Sequence, residues 1–138
     1  MSQESFLLDT HALIWYDQPG RIPSALQQIL ENASTTIFVS SISAWEISIK
    51  HKLGKLEEAS LLISSFEQTL ATYGFIQLPF TIKHGLLAGS IQLEHKDPFD
   101  KALIAQAVAE KLTLVSADPQ IQTAASLVAG LQVLWKTT

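Results

Sequence analysis

The sequence predicts an α/β fold built on a mostly parallel sheet with helices covering both faces, and three observations carry that prediction. Short apolar segments alternate along the chain with longer segments of helical character. Those short segments are apolar throughout rather than every second residue, as strands buried on both faces are. Proline, glycine and capping residues punctuate the chain where one element should give way to the next.

Taken in order, the first strand is Phe6–Leu8, followed by helical segments over Thr10–Tyr16 and Pro23–Ala33, the latter opened by a proline suited to a first turn. Thr36–Val39 is the second strand, and Ser43–Leu53 and Glu57–Tyr73 follow as helices closed by Gly54 and Gly74. Phe75–Leu78 is the third strand, and a helix over Ile82–Leu93 comes next. A helix over Pro98–Leu112, the strand Thr113–Val115, a helix over Pro119–Leu127 and the strand Leu131–Leu134 complete the chain. No repeat, low-complexity tract or linker interrupts this pattern, so residues 1–138 read as one domain, a length able to bury a core without staples.

Composition narrows the function. Apolar residues make up 47% and charged residues 16% of the chain, which excludes a disordered protein. The absence of cysteine removes disulfides, thiolate metal sites and a cysteine nucleophile, and suits a reducing cytosol. Met1–Glu4 has no basic or apolar leader character, and no apolar run reaches the ~20 residues of a membrane span. The expectation is a soluble cytoplasmic protein.

The acidic residues are the chemical signal. Asp9 directly follows the first strand and Asp118 lies just beyond Thr113–Val115. Glu46 falls in the first turn of the helix after the second strand, and Asp100 opens the helix after Lys96-Asp97-Pro98. In a parallel sheet all four converge on the crevice outside the carboxyl ends of the strands, where α/β proteins bind ligands. Converging carboxylates repel one another, and a hard divalent cation with oxygen ligands resolves the repulsion. Such an ion orients a phosphodiester and activates water. Each acid has a structural reading as well. Ser43-x-x-Glu46 matches a capping box, Asp97-Pro98 and Asp118-Pro119 match N-caps, Asp9 can cap the helix from Thr10, and Asp100 can complement a helix dipole.

A net charge of −4 is unusual for a binder of nucleic acid. The basic residues are clustered, however, in Lys50, His51, Lys52 and Lys55 and in His95, Lys96 and Lys101. They serve equally as a solvated helix face and a loop. The scattered histidines lack metal-ligand spacing, with His11 the best placed of them, and Trp15, Trp45 and Trp135 read as core.

The segments Phe6-Leu7-Leu8-Asp9-Thr10-His11, Val39 to Ile47, Asp97-Pro98-Phe99-Asp100-Lys101 and Leu114-Val115-Ser116-Ala117-Asp118 together resemble the PIN-domain family. The resemblance is nearest to the VapC-type toxins of bacterial toxin–antitoxin pairs and runs from about Phe6 to Trp135. It implies an α/β/α sandwich and an Mg²⁺- or Mn²⁺-dependent endoribonuclease with Asp9, Glu46, Asp100 and Asp118 as catalytic metal ligands. Thr10 and Ser116 would supply supporting hydroxyls, with Asp97 supporting as a helix cap. Lys50, Lys52 and Lys101 are the candidates for RNA contact, and Lys101 stands where the family often has arginine. The resemblance further implies a homodimer inhibited by a small antitoxin. Three alternatives stay open at this stage: a catalytically degenerate domain that binds RNA or a partner, a related nuclease acting on DNA, and a phosphotransferase with Asp9 as nucleophile. The last lacks the second aspartate that Asp-x-Asp enzymes carry after strand one.

Overall fold

The computed structural model describes residues 4–94 and 97–137. Five parallel strands, β1 (Ser5–Leu8), β2 (Thr36–Ser40), β3 (Ile76–Leu78), β4 (Thr113–Val115) and β5 (Gln132–Leu134), form one sheet in the order β3-β2-β1-β4-β5. The chain runs outward from β1 through β2 to β3, then crosses back to the far side of β1 for β4 and β5. The strand order therefore reverses between β1 and β4, which opens a crevice at their carboxyl ends.

Eight helices accompany the strands among the described residues. They are α1 (Thr10–Tyr16), α2 (Ser24–Leu30), α3 (Ser41–Lys52), α4 (Ser60–Ser64), α5 (Phe66–Tyr73), α6 (Ile82–Ser90), α7 (Pro98–Glu110) and α8 (Pro119–Ala124). Strand alternation divides the core into two layers. Phe6 and Leu8, Ile37 and Val39, and Val115 face a cluster that includes Leu13, Leu26, Ile47, Leu62 and Leu70. Leu7 and Leu114 face the other way, onto Leu103, Ile104, Ala107 and Ile121 of α7 and α8. Both faces of the sheet are thus covered, as uniformly apolar strands require, and the fold is an α/β/α sandwich.

Three local expectations are corrected. Residues 57–73 form a 3₁₀ turn (Glu57–Ala59), α4 and α5 rather than one helix, because Ser65 at φ −138°, ψ 33° leaves the helical basin. The helix after β2 begins earlier than Ser43: Ser40 caps it through Ile42 N–H at 3.0 Å, which frees Ser43 and Glu46 from a capping box. Pro23 is the cap residue of α2 rather than its first helical residue. Gly74 does close α5 in the left-handed conformation at φ 74°, a position that a side chain would strain.

Candidate active site

Asp9 leaves β1 and becomes the N-cap of α1, with Oδ1 accepting the Ala12 N–H at 2.8 Å. Its backbone N–H donates to Val115 O at 3.0 Å, which ties the ends of β1 and β4 together at the strand-order reversal. The residue is buried, and the Ser116 hydroxyl also bonds its carboxylate. Burial, with Asp118 and Glu46 adding repulsion, outweighs these donors and pushes the Asp9 pKa up to about 6.

Glu46, one turn into α3, is also buried. Oε1 accepts the Thr10 hydroxyl, and Thr10 Oγ1 lies 3.1 Å from Ser43 Oγ. Oε2 is ion-paired with Lys50 one turn further along α3. Both carboxylate oxygens are therefore engaged, one by a neutral hydroxyl from α1 and one by a cation from its own helix.

The other acids stand at helix N-termini. Asp118 caps α8 through Gln120 N–H at 2.8 Å, and its own N–H donates to Ser116 Oγ at 3.1 Å. Asp97 caps α7, with Oδ1 accepting from Phe99 and Asp100 N–H at 2.9 and 3.4 Å. Its other oxygen, Oδ2, is 3.7 Å from Lys50 Nζ. Asp100 sits in the first turn of α7 and acts with Glu46 and Asp97 on the Lys50 ammonium. Burial lowers the Lys50 pKa, but the Glu46 bond and these carboxylates outweigh it and leave the group raised.

The structure thus brings together Asp9, Glu46 and Asp118 around one end of the site and Glu46, Asp97 and Asp100 around Lys50. Asp97, Asp100 and Asp118 also line an open cleft of about 1000 Å³ that continues past Gln92 to Thr123 and Leu127. Thr10 bonds Glu46, and Ser116 links Asp9 to Asp118. Lys50 lies among the acids, Lys52 is exposed at the end of α3, and Lys101 is half-buried on α7. His95 and Lys96 lie outside the described residues. Ser43 went unremarked in the sequence except as a helix start; only its approach to Thr10 reveals a role. Trp45 is a correction. It is 59% exposed beside Glu46 and packs edge-on against Phe99, whereas Trp15 and Trp135 join the core.

The donor set fits a hard divalent cation: carboxylates and hydroxyls, no thiolate, and a buried aspartate whose charge its neighbours disfavour. Among the described residues no three acid or histidine side chains are grouped as a ready-made coordination cluster. Cap N–H groups, Thr10 and Lys50 hold the carboxylate oxygens instead.

Among solved structures, the chain is similar to one in VapBC2 from Rickettsia felis bound to a promoter DNA fragment, at 19% identity and TM-score 0.66, covering 96% of this chain and 99% of that one. It is similar to one in DNA-bound VapBC from Salmonella typhimurium, at 16% identity and TM-score 0.66, covering 95% and 97%. A chain of FitAcB from Neisseria gonorrhoeae matches at 20% identity and TM-score 0.63, covering 94% and 96%. No curated protein matches the sequence. The PIN domain family model matches residues 6–127, a span that contains every acid of the site and, of the strands, β2, β3, β4 and all of β1 but Ser5, and the chain accordingly belongs to the PIN domain family.

Proposed function

We propose that this protein is a metal-dependent endoribonuclease acting as the toxin of a toxin–antitoxin pair. The observation that carries the reading is the pair of buried carboxylates, Asp9 and Glu46, with Asp118 repelling Asp9 at the β1–β4 crevice, and an open cleft lined by Asp97, Asp100 and Asp118. All four expected acids are retained in the sequence, which supports catalysis over a degenerate binding domain.

Asp9, Glu46, Asp100 and Asp118 would hold the Mg²⁺ or Mn²⁺. When bound, such a cation would supply Lewis acidity to the phosphodiester and lower the pKa of water, so that hydroxide is available for attack near neutral pH. Thr10 orients Glu46, and Ser116 orients Asp9 while fixing the backbone at Asp118. The cap bonds from α1, α7 and α8 keep the Asp9, Asp97 and Asp118 carboxylates from turning away. Lys52 and Lys101 carry positive charge to the backbone of the RNA. Hydrolysis of this kind leaves a 5′-phosphate and a 3′-hydroxyl and needs no 2′-hydroxyl nucleophile.

Assaying RNA and DNA side by side tests the reading. Cleavage of RNA with Mg²⁺ or Mn²⁺, loss in EDTA and weak rescue by Ca²⁺ are expected. Cyclic-phosphate ends or full activity in EDTA contradict it, and preference for DNA corrects the substrate.

Among the similar solved structures, one from Klebsiella pneumoniae is named a toxin–antitoxin complex and others VapBC2 and FitAcB, which supports an antitoxin partner here. Exposed Ile82 and Leu86, one turn apart on α6, support a homodimer, because contiguous apolar surface invites burial. Sedimentation equilibrium at micromolar concentration decides that point, a monomer throughout being the adverse result. Among the described residues no helix is long and apolar enough to cross a membrane.

A further inference from the structure

We propose that Lys50 is the resident counter-ion of the acidic site, holding Glu46 in the cation-free protein and leaving it when a divalent cation binds. The inference rests on the metal site proposed above. Its physical basis is the way that Glu46 is engaged. Thr10 takes one oxygen and the Lys50 ammonium the other, so a cation that draws on Glu46 competes with these donors for its lone pairs.

The two are not equally displaceable. Thr10 is 3% exposed, sits in the first turn of α1 beside Asp9, and is hemmed in by Ser43 at 3.1 Å. Lys50 is 28% exposed at its side chain and hangs on a flexible four-carbon stem. It also repels a divalent cation, which the neutral hydroxyl does not. Asp97 offers the ammonium an alternative seat, since its Oδ1 caps α7 while Oδ2 already lies 3.7 Å from Nζ. Phe99, with its ring centroid 5.8 Å from Nζ, borders the same path. Lys50 therefore spans α3 and α7, offsets the repulsion among Glu46, Asp97 and Asp100, and exchanges Glu46 for Asp97 when a cation binds.

Titration calorimetry of the full chain with Mn²⁺, on wild type, Lys50→Gln, Lys50→Met and Lys50→Arg, tests this without an activity assay. Removing the ammonium should tighten Mn²⁺ binding about fivefold, the scale of a partly exposed ion pair. Lys50→Arg, which keeps the charge, should stay close to wild type. Melting in EDTA and in Mn²⁺ is the second measurement: the neutral variants should melt lower than wild type in EDTA and gain more from Mn²⁺. Unchanged or weaker Mn²⁺ affinity in both neutral variants, with wild type binding, overturns the role of Lys50 and leaves the metal site standing. Tightening by Lys50→Arg equal to that by Lys50→Met also overturns it, since charge would not be the cause. Absence of Mn²⁺ binding by every form overturns both readings.

Discussion

Two buried polar centres, one along α7 against α6 and one beyond the N-terminal end of α7, are built on opposite terms. Between α6 and α7, His84 is 1% exposed, yet each of its ring nitrogens has a complementary partner. Nδ1 accepts the Thr81 N–H at 3.0 Å as part of a capping box that opens α6. That bond leaves the ring proton on Nε2, which points at Glu110 Oε2 at 2.8 Å. Gln106 lies alongside, with Nε2 3.3 Å from Pro79 O and 3.4 Å from His84 Nδ1, and only its Oε1 finds no protein partner among the described residues. This centre clips two helices together.

At the β1–β4 crevice the buried groups are instead like charges. Asp9 is flanked by Asp118 and Glu46, and donors from helix ends, hydroxyls and one lysine restrain the carboxylates without neutralising them all. A protein can bury a histidine for structure because a matched partner removes most of the cost. Burying several carboxylates together costs stability in the empty protein, and that cost is intelligible where a ligand repays it. Burial alone does not separate structure from function; the sign and completeness of the partners do.

Substitutions at the acids give the largest expected effect. Asp9→Asn, Glu46→Gln, Asp100→Asn and Asp118→Asn should each reduce RNA cleavage by at least ~10²-fold with the fold intact, since even the supports of metal ligands are worth 10–100-fold. Rates beside circular dichroism spectra check this, and near-wild-type cleavage by the Asp100 variant removes that residue from the site. His84→Ala should show the reverse pattern. It should destabilise by about 3 kcal/mol, through a lost buried ring and an orphaned cap N–H, while folded protein keeps most of its specific activity. Urea denaturation with an activity assay below the transition measures both.

The comparison sharpens with pH. The Asp9 pKa is raised on folding, from 3.8 to about 6, so the native state holds a proton that the unfolded chain releases in that window. Stability of the metal-free protein should therefore fall as pH rises from about 4 to about 6 on this account. Asp9→Asn should be more stable than wild type by roughly 2–3 kcal/mol at pH 8, with the difference vanishing near pH 4. Denaturation in EDTA across that range tests the sign, and a gap that widens toward low pH contradicts it. The smallest effect belongs to Asp97. Asp97→Ala should lose about 0.5–2 kcal/mol, while Asp97→Ser keeps the cap and most of the cleavage. If Asp97→Ser abolishes cleavage in a folded protein, Asp97 holds the cation itself.

What the sequence determined on its own is whatever depends on near neighbours in the chain. The central strands β1, β2 and β4 appear as short, largely apolar segments because they are covered on both faces, the edge strands β3 and β5 carry Gln77 and Gln132, and β4 matches its expected bounds, Thr113–Val115. Asp97 and Asp118 show as caps because a carboxylate followed by proline satisfies the next N–H groups whatever the rest of the chain does. With a parallel sheet in hand, the nearness of Asp9 and Asp118 also follows, because the paired strands β1 and β4 share one carboxyl edge. The exposure of Trp45, the Thr10 partner of Glu46 and the Asp97 partner of Lys50 were left to the tertiary structure. Each depends on residues brought close by folding: Phe99 lies 54 positions from Trp45, Thr10 lies 36 from Glu46, and Asp97 lies 47 from Lys50. Glu46 shows this most clearly. Ser43-x-x-Glu46 offered it a capping partner on its own helix, but burial against α1 presented a hydroxyl and the next turn an ammonium. A buried carboxylate takes the strongest donors within reach, and which donors are within reach is settled only once the chain has packed.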